Sequence, residues 1–275
     1  MEADIEVAGA GAAAYSTAEL MAVVMSRALE HNDGQVGGVG AGATIPMAAL
    51  RLATLTVAPG LNWFCGSSGG FNPTFDHLPL TAADPRALHG AEATQTMQDI
   101  VDLGGSGRWG FGFHGGMQID RYGNANLIGI GPYDNLRVRG PGSVGLPWAA
   151  RMSGAYLFTW HHNPRVFVER VDHLSGPGWL DGDSSRAELL DGVPGPRLVF
   201  TPLCVMDFHE TSHAMRLLSV HPGHSVGDVA AQTGFDVIVP DDVPETPRPT
   251  DQELFLLRTR VDRGRQLRDL RLTVG

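Results

Sequence analysis

The segment from Val36 to Phe64 restricts the fold more than any other part of the chain. Val36 to Val39 reads as a short strand. Pro46 suits the first position of a helix whose buried side carries Met47, Leu50 and Ala53-Thr54. Pro59-Gly60 stops that helix, and Leu61-Asn62-Trp63-Phe64 reads as a second strand. Strand, helix and strand of this length make a parallel crossover unit, which requires an α/β sheet with helices on its faces. Around this unit the signals are also sharp. Ser16 and Glu19 form a capping box for a first helix with Leu20, Val23, Val24 and Ala28 on one face, stopped by His31-Asn32-Asp33-Gly34.

Downstream, Glu92 to Leu103 reads as helical and Phe111 to Gly145 as short strands joined by glycine turns. Ala155 to Trp160 and Arg197 to Phe208 read as strands, with Met215 to Val220 as a hairpin return. Ser225 to Gly234 is a short helix with Gly234 as its stop, and Asp236 to Val239 a late strand. A Pro-rich link, Pro240 to Pro249, leads to a closing helix with a second capping box, Thr250 and Glu253. The expected organisation is a single α/β domain over residues 1–239, an open sheet with crossover helices, and a link plus C-terminal helix over 240–275 packed on it.

Charge removes several function classes. All 20 basic residues are arginines, so Schiff-base, pyridoxal-phosphate and Walker A lysine chemistry are excluded. A net charge of -10 argues against nucleic acid and anionic membrane surfaces as partners. No apolar run approaches the ~18 residues needed to span a bilayer, and Met1 to Tyr15 lacks the basic start of a signal peptide. Cys65 and Cys204 form neither a disulfide framework nor a metal spacing. These features lead us to expect a cytoplasmic protein with reduced thiols.

Three short motifs suggest chemistry that their surroundings do not support. Gly38-Val39-Gly40-Ala41-Gly42-Ala43 fits the loose dinucleotide pattern, but the ribose-binding acid about 20 residues on is missing. Gly66-Ser67-Ser68-Gly69-Gly70 satisfies G-x-S-x-G, but Pro73 blocks the helix that a nucleophile elbow needs. A glycine-rich ligand loop, with N–H groups free to face an oxygen, is the better reading. His209-Glu210-Thr211-Ser212-His213 reads H-E-x-x-H, but strand-like flanks place it at a hairpin tip, where an exposed substitution changes stability by less than ~0.5 kcal/mol. His161 and His162 are adjacent on a strand, so they face opposite sides and do not chelate one ion.

A longer stretch is more specific: Phe113-His114-Gly115-Gly116-Met117-Gln118-Ile119-Asp120-Arg121-Tyr122-Gly123-Asn124, followed by Gly131-Pro132-Tyr133-Asp134-Asn135 and Arg139-Gly140-Pro141-Gly142-Ser143-Val144-Gly145. This resembles the β subunit of class I coenzyme A transferases, whose signature is G-G-x-Q-x-D-x-x-G-N followed by a P-G-x-G-G-type loop; Val144 stands where a glycine is usual. Phe167 to Asp172, Ser219 to Gly223 and Thr233-Gly234-Phe235 agree in order, so the resemblance covers nearly the whole chain. It implies a CoA-transferase-like open α/β sheet, an α-subunit partner in a heterodimer or α2β2 tetramer, and an acyl-CoA substrate with no separate cofactor. It points to His114, Gly115, Gly116 and Gln118 for acyl-CoA binding, with Asp120 and Asn124 as braces nearby.

One departure from the family decides the chemistry. Its transferases carry a nucleophilic glutamate in a loop after the second strand, where this chain has Cys65-Gly66-Ser67-Ser68-Gly69-Gly70, and no acid lies between Asp33 and Asp76. A branch with this loss is the steroid ring-opening hydrolase of actinobacterial cholesterol degradation. That resemblance implies hydrolysis of a C–C bond in a cyclic β-keto acyl-CoA, with the loop Gly66 to Gly70 as oxyanion donor and the general base supplied by the α subunit. The alternatives are a CoA transferase of glutaconate or 3-oxoacid type, and a non-catalytic partner of an active α subunit.

Overall fold

The computed structural model describes residues 14–275. Apart from its last two residues, the Met1 to Tyr15 stretch lies outside them. The chain divides into two compact units, one running to Phe113 and including Pro247–Leu272, the other formed by His114–Thr246 with Thr273–Gly275.

The first unit is built on the expected crossover. Helix α1 (Thr17–Ala28) starts on its capping box: Ser16 Oγ accepts from the Glu19 N–H at 3.2 Å, and the Glu19 carboxylate accepts from the Ser16 N–H at 2.9 Å. Strand β1 (Val36–Val39), helix α2 (Thr44–Leu55) and strand β2 (Asn62–Cys65) follow, with β1 and β2 parallel and Val39 opposite Cys65. Helix α2 begins at Thr44, so Pro46 is its third residue rather than its first. It still lies in the opening turn, where a missing N–H breaks no intrahelical bond.

Two short antiparallel strands extend the sheet, β3 (Gly70–Phe71) and β4 (Ala93–Thr94), before helix α3 (Met97–Gly105) and strand β5 (Phe111–His114). The helix expected from Glu92 therefore starts later. Residues 92 to 95 ladder along β3 instead, with Glu92 N–H on Phe71 O and Gln95 N–H on Gly69 O, and Thr96 with Asp99 caps what remains. Strand β5 runs parallel to β1 on the side away from β2, with Phe113 opposite Val39.

In the second unit, strands β6 (Gln118–Asp120) and β7 (Ala125–Asn126) make a small sheet, and β8 (Gly129–Ile130) pairs with β9 (Val138–Arg139). Strand β10 (Gly154–Phe158) is followed by β11 (His161–His162) and by β12 (Phe167–Val168), which joins β6. After helix α4 (Ser185–Leu189), strand β13 (Pro196–Phe200) runs parallel to β10. Strands β14 (Cys204–Phe208) and β15 (Met215–Val220) continue antiparallel, before helix α5 (Val226–Gln232). Strand β16 (Thr273–Val274) pairs with β11.

Three expectations change here. The run Arg197 to Phe208 is two strands, because Thr201 Oγ1 accepts the N–H groups of Leu203 and Cys204, both at 3.1 Å, and closes a turn. Asp236 to Val239 contributes only a bridge from Ile238 to Arg216. Gly234 is not a left-handed helix stop: a Cβ there would meet Phe167 O at 2.3 Å, so close backbone approach selects glycine.

The C-terminal helices α6 (Asp251–Leu256) and α7 (Gln266–Asp269) belong to the first unit. Arg27 binds Glu253 at 2.7 Å, Arg258 binds Glu19 at 2.7 Å, and Leu254 packs with Tyr15 and Leu20. Both units are mixed α/β, and the expected crossover lies in the first.

The core of the second unit holds two buried imidazoles. His162 meets Thr201 Oγ1 at 2.8 Å and Thr233 Oγ1 at 3.1 Å; His221 meets Thr246 Oγ1 at 2.9 Å and Thr201 O at 3.0 Å. Burial first, then neighbouring histidine charge, pushes His162 down to about 3; burial likewise takes His221 to about 4. The unfolded chain thus takes up these protons more readily than the folded one. Their contribution to stability is complete above the ordinary imidazole value of 6.5 and is lost as pH falls toward 4. Urea unfolding at pH 7.5, 6 and 5 should show stability dropping with acid, with a limit of about 1.4 kcal/mol per pH unit for each imidazole. His221→Gln should flatten that slope between pH 6 and 5.

Candidate functional site

Strands β1, β2 and β5 run in one direction, and each leads into a segment of chemical interest. Val39 is flanked by Cys65 and Phe113 in register. Beyond β1 lies Gly40 to Ala43, beyond β2 the loop Gly66 to Gly70, and β5 ends at His114. Ligands of open α/β sheets bind outside such carboxyl ends.

After the loop at β2 comes antiparallel strand β3 and not a helix, so no nucleophile elbow forms. The loop is pinned by backbone bonds to its own turn and to neighbouring segments. Gly66 N–H donates to Val39 O at 2.8 Å, Ser68 N–H to Ala82 O at 2.9 Å, and Gly69 N–H to Cys65 O at 2.8 Å. The expected set of several free N–H groups is therefore smaller, because three of them already hold the turn. Gly69, at φ +80°, and Gly70 are glycines because a Cβ on either would meet backbone oxygen at 2.1 Å, from Gln95 and Ala87 respectively. What faces outward is Ser67, which is exposed.

Ser68 Oγ is buried, lacks a hydrogen-bond partner of good geometry, and lies beside the Cys65 thiol. Burial pushes that thiol up to about 12, against the opposing effect of Ser68, so Cys65 is no thiolate at neutral pH. No imidazole or carboxylate hydrogen-bonds either serine hydroxyl among the described residues. Glu92 is tied to Asn72 at 3.0 Å, and Asp84 is paired with Arg86.

The segment after β5 is mostly braced by its own chain. A Cβ on Gly115 would meet Phe158 O at 2.4 Å, and one on Gly116 would meet Gln118 O at 2.6 Å. Backbone packing thus explains both glycines without a ligand. Gln118 Oε1 accepts from Asn126 Nδ2 at 2.7 Å and from the Asp172 N–H at 3.0 Å. Asp120 accepts from the N–H groups of Tyr122 and Asn124 and from Asn124 Nδ2, while Asn124 Oδ1 accepts from the Gly178 and Leu180 N–H groups. Burial raises the Asp120 carboxyl, partly offset by these donors. A polar cleft of about 490 Å³ opens beside Asp120, where Arg121 and Arg170 are paired with Glu169 and Asp181. Two side-chain nitrogens of this segment, His114 Nδ1 and Arg121 Nε, are buried with no partner.

Sequence reasoning missed Arg186, which is 1% exposed. Its guanidinium donates to the carbonyls of Ala149, Pro177, Gly178 and Val193 and pairs with no carboxylate among the described residues. In the sequence it sits among serines and acids, like any solvent-facing helix arginine.

Of the dinucleotide-like glycines, packing explains Gly38, whereas Gly42 adopts φ +69° and a Cβ on Gly40 would meet nothing within 4 Å. A Cβ on Gly38 would lie 2.6 Å from the Phe64 ring. His209 to His213 lies at the β14–β15 hairpin tip. There Glu210 pairs with Arg216, His209 Nδ1 faces the Thr211 and Ser212 N–H groups, and His213 stacks on Trp179 at 3.8 Å. His161 is exposed and His162 buried, on opposite faces as expected.

A family model described as "Coenzyme A transferase" matches residues 27–232. The chain belongs to the coenzyme A transferase family. It is 34% identical over 255 residues to one of the subunits of the 3-oxoadipate CoA-transferase of Pseudomonas knackmussii, covering 89% of this chain and 93% of that one. It is 33% identical over 241 residues to the IpdB chain of the cholesterol ring-cleaving hydrolase of Rhodococcus jostii, covering 84% and 87%. Among solved structures, glutaconate coenzyme A-transferase from Acidaminococcus fermentans superposes with a TM-score of 0.82 at 28% identity, covering 93% of this chain and 98% of that one. The chain thus has the CoA-transferase fold, and overall similarity does not separate transferase from hydrolase.

The hairpin tip yields a test. Replacing His209, Glu210 and His213 together by alanine should leave turnover unchanged in the presence of a chelator. It should reduce unfolding stability by about 1 kcal/mol, because the His213–Trp179 stack is lost. A collapse of turnover would return the motif to the active site.

Proposed function

We propose that this chain is the β subunit of a two-subunit enzyme that opens the ring of a cyclic β-keto acyl-CoA by C–C hydrolysis, in steroid breakdown. The observation that carries this reading is the loop after β2. It presents Ser67 and Ser68 and no carboxylate, so it has no group able to form the acyl anhydride and glutamyl thioester of CoA transfer. Similarity to the ring-cleaving hydrolase chain supports the same reading. The transferase reading keeps the support of relatives of equal identity.

Water adds to the ring ketone, the C–C bond breaks, and its electron pair passes to the thioester carbonyl as an enolate, which is then protonated at carbon. The general base comes from the α subunit. The loop contributes a hydrogen-bond donor to developing negative oxygen, the exposed Ser67 hydroxyl. Exposed apolar side chains on α3, Met97 and Val101 one turn apart, are consistent with a chain that works in an assembly.

Incubated with a cyclic 3-keto acyl-CoA in deuterated water, the two-subunit complex should give a ring-opened product that retains CoA and carries deuterium next to the thioester. Ser67→Ala should reduce the rate, to a limit of ~10²–10³-fold for a lost donor. Ser67→Glu should not improve ring opening. Transfer of CoA to acetate or succinate as the main activity would establish the transferase instead. The β chain purified alone should show no turnover until the α subunit is added; full activity from it alone would overturn the two-subunit reading.

A further inference from the structure

Part of the surface of the second unit divides into two halves of opposite sign. From residue 135 to residue 168 the chain holds four arginines and no acid, in a protein whose net charge is -10. Three of the four, Arg137, Arg139 and Arg151, are exposed, and none of the three is in an ion pair with a carboxylate among the described residues. From 169 to 191 the composition inverts, with six acids and two arginines. One of those arginines, Arg186, is buried on carbonyl oxygens, so the outward charge there is acidic apart from Arg170.

The two halves lie side by side within the one unit. At the start of the β8–β9 hairpin, Gly131 N–H donates to Asp172 Oδ2 at 2.7 Å, and His173 Nε2 meets Gly131 O at 2.8 Å. At the far end, Arg186 donates to Ala149 O at 2.9 Å, in the short turn Leu146–Ala150. The basic segment is thus held against the acidic one at both ends. Exposed apolar side chains are interleaved with the charges: Val138 between Arg137 and Arg139, Val144 in the loop that follows, Leu174 in the cleft with Asp172, and Leu189 next to Glu188. Val144 is also held at φ +52°, where β-branched residues are rarely found, and at 71% exposure no burial offsets the strain.

The pairing of signs selects the occupant. A small anion drawn to the arginines also meets the acids beside them. A body of the same net charge is repelled on average, and approaches best where its basic half faces an acidic half. A second copy of this chain offers that match about a two-fold axis, since each copy then gives a basic half and receives an acidic one. The apolar side chains between the charges supply the desolvated centre of such a contact. We propose that the β8–β9 hairpin and the loop after it dock on the 169–191 segment of a second copy of this chain, pairing two β subunits in the assembled enzyme. The inference rests on the two-subunit reading above only for what else the assembly contains.

The test is the mass of the two-subunit complex by sedimentation. At ~0.1 M salt it should contain two copies of each chain. Raising the salt to ~1 M shortens the screening length from about 10 Å to about 3 Å, and should weaken the pairing by at least ~tenfold. Arg137→Glu with Arg139→Glu should give particles with one copy of each chain, and an unchanged far-UV spectrum should show that they are folded. Adding Asp181→Arg and Glu188→Arg to that same chain should restore the pairing. Rescue within one chain marks a self-complementary contact, because a contact with a different chain gains nothing from it. Val144→Asp, a residue more tolerant of the left-handed backbone, should also separate the pairs and does so without touching the arginines.

A wild-type complex with one copy of each chain at ~0.1 M salt overturns the proposal. So does an unchanged mass in both the arginine variant and Val144→Asp; a KM for acyl-CoA raised more than ~tenfold in that intact assembly would assign the arginines to the phosphates of CoA instead. Failure of the acidic-side reversals to restore pairing overturns it as well, as does loss of the α subunit with the β chains still paired, which places this surface against α. If the wild-type chain binds no α subunit, the two-subunit reading fails by itself, and the pairing is then read from the mass of the β chain alone.

Discussion

Two glycines in the central strand set the geometry of the first unit. Gly37 and Gly38 have no side chains, and aromatic rings fill the spaces: a Cβ on Gly37 would lie 2.3 Å from the Phe111 ring, and one on Gly38 would lie 2.6 Å from that of Phe64. Phe111 belongs to β5 and Phe64 to β2, so both neighbours of β1 lock onto it through their own side chains. Any larger residue in β1 forces those rings out of a close-packed interior. The alignment of the three strand ends follows from that lock. The glycine run that resembles a nucleotide motif is, in its strand part, a packing device.

The loop after β2 shows how far composition can mislead about donors. Five residues rich in glycine and serine suggest an open cradle of N–H groups. The chain uses three of them on its own carbonyls, at Val39, Ala82 and Cys65, since a sharp turn needs its backbone groups satisfied as much as a helix end does. The chemistry left is that of two serine side chains and the absence of a carboxylate. A buried thiol beside them, held protonated by its surroundings, does not replace the missing nucleophile.

Burial decides the protonation of most histidines of interest. His114, His162 and His221 are all held neutral chiefly by desolvation, which outweighs any helpful neighbour. They differ in their partners. His162 and His221 have hydroxyl and carbonyl groups on both ring nitrogens and serve the core. His114 has one nitrogen left over.

Short-range rules determined much of this protein. The capping boxes at Ser16 and Thr250, the crossover from Val36 to Cys65 and the hairpin around His209 to His213 each depend on residues close in sequence. The motif from Gly115 to Asn124 was legible because its turn chemistry is local: Asp120 holds the N–H groups of the turn that follows it. The missing acid after β2 was also plain from the sequence alone. Only the tertiary structure decided the rest. The extended pairing of residues 92 to 95 depends on a strand more than 20 positions earlier, and it overrode local helix preference. The glycines at 115, 116 and 234 answer to carbonyls brought in by the fold. Whether Arg186 faces water or the interior, and whether His114 finds a partner, depends on which distant groups arrive beside them. Desolvation and hydrogen-bond satisfaction are set by three-dimensional neighbours, and a linear pattern does not encode them residue by residue.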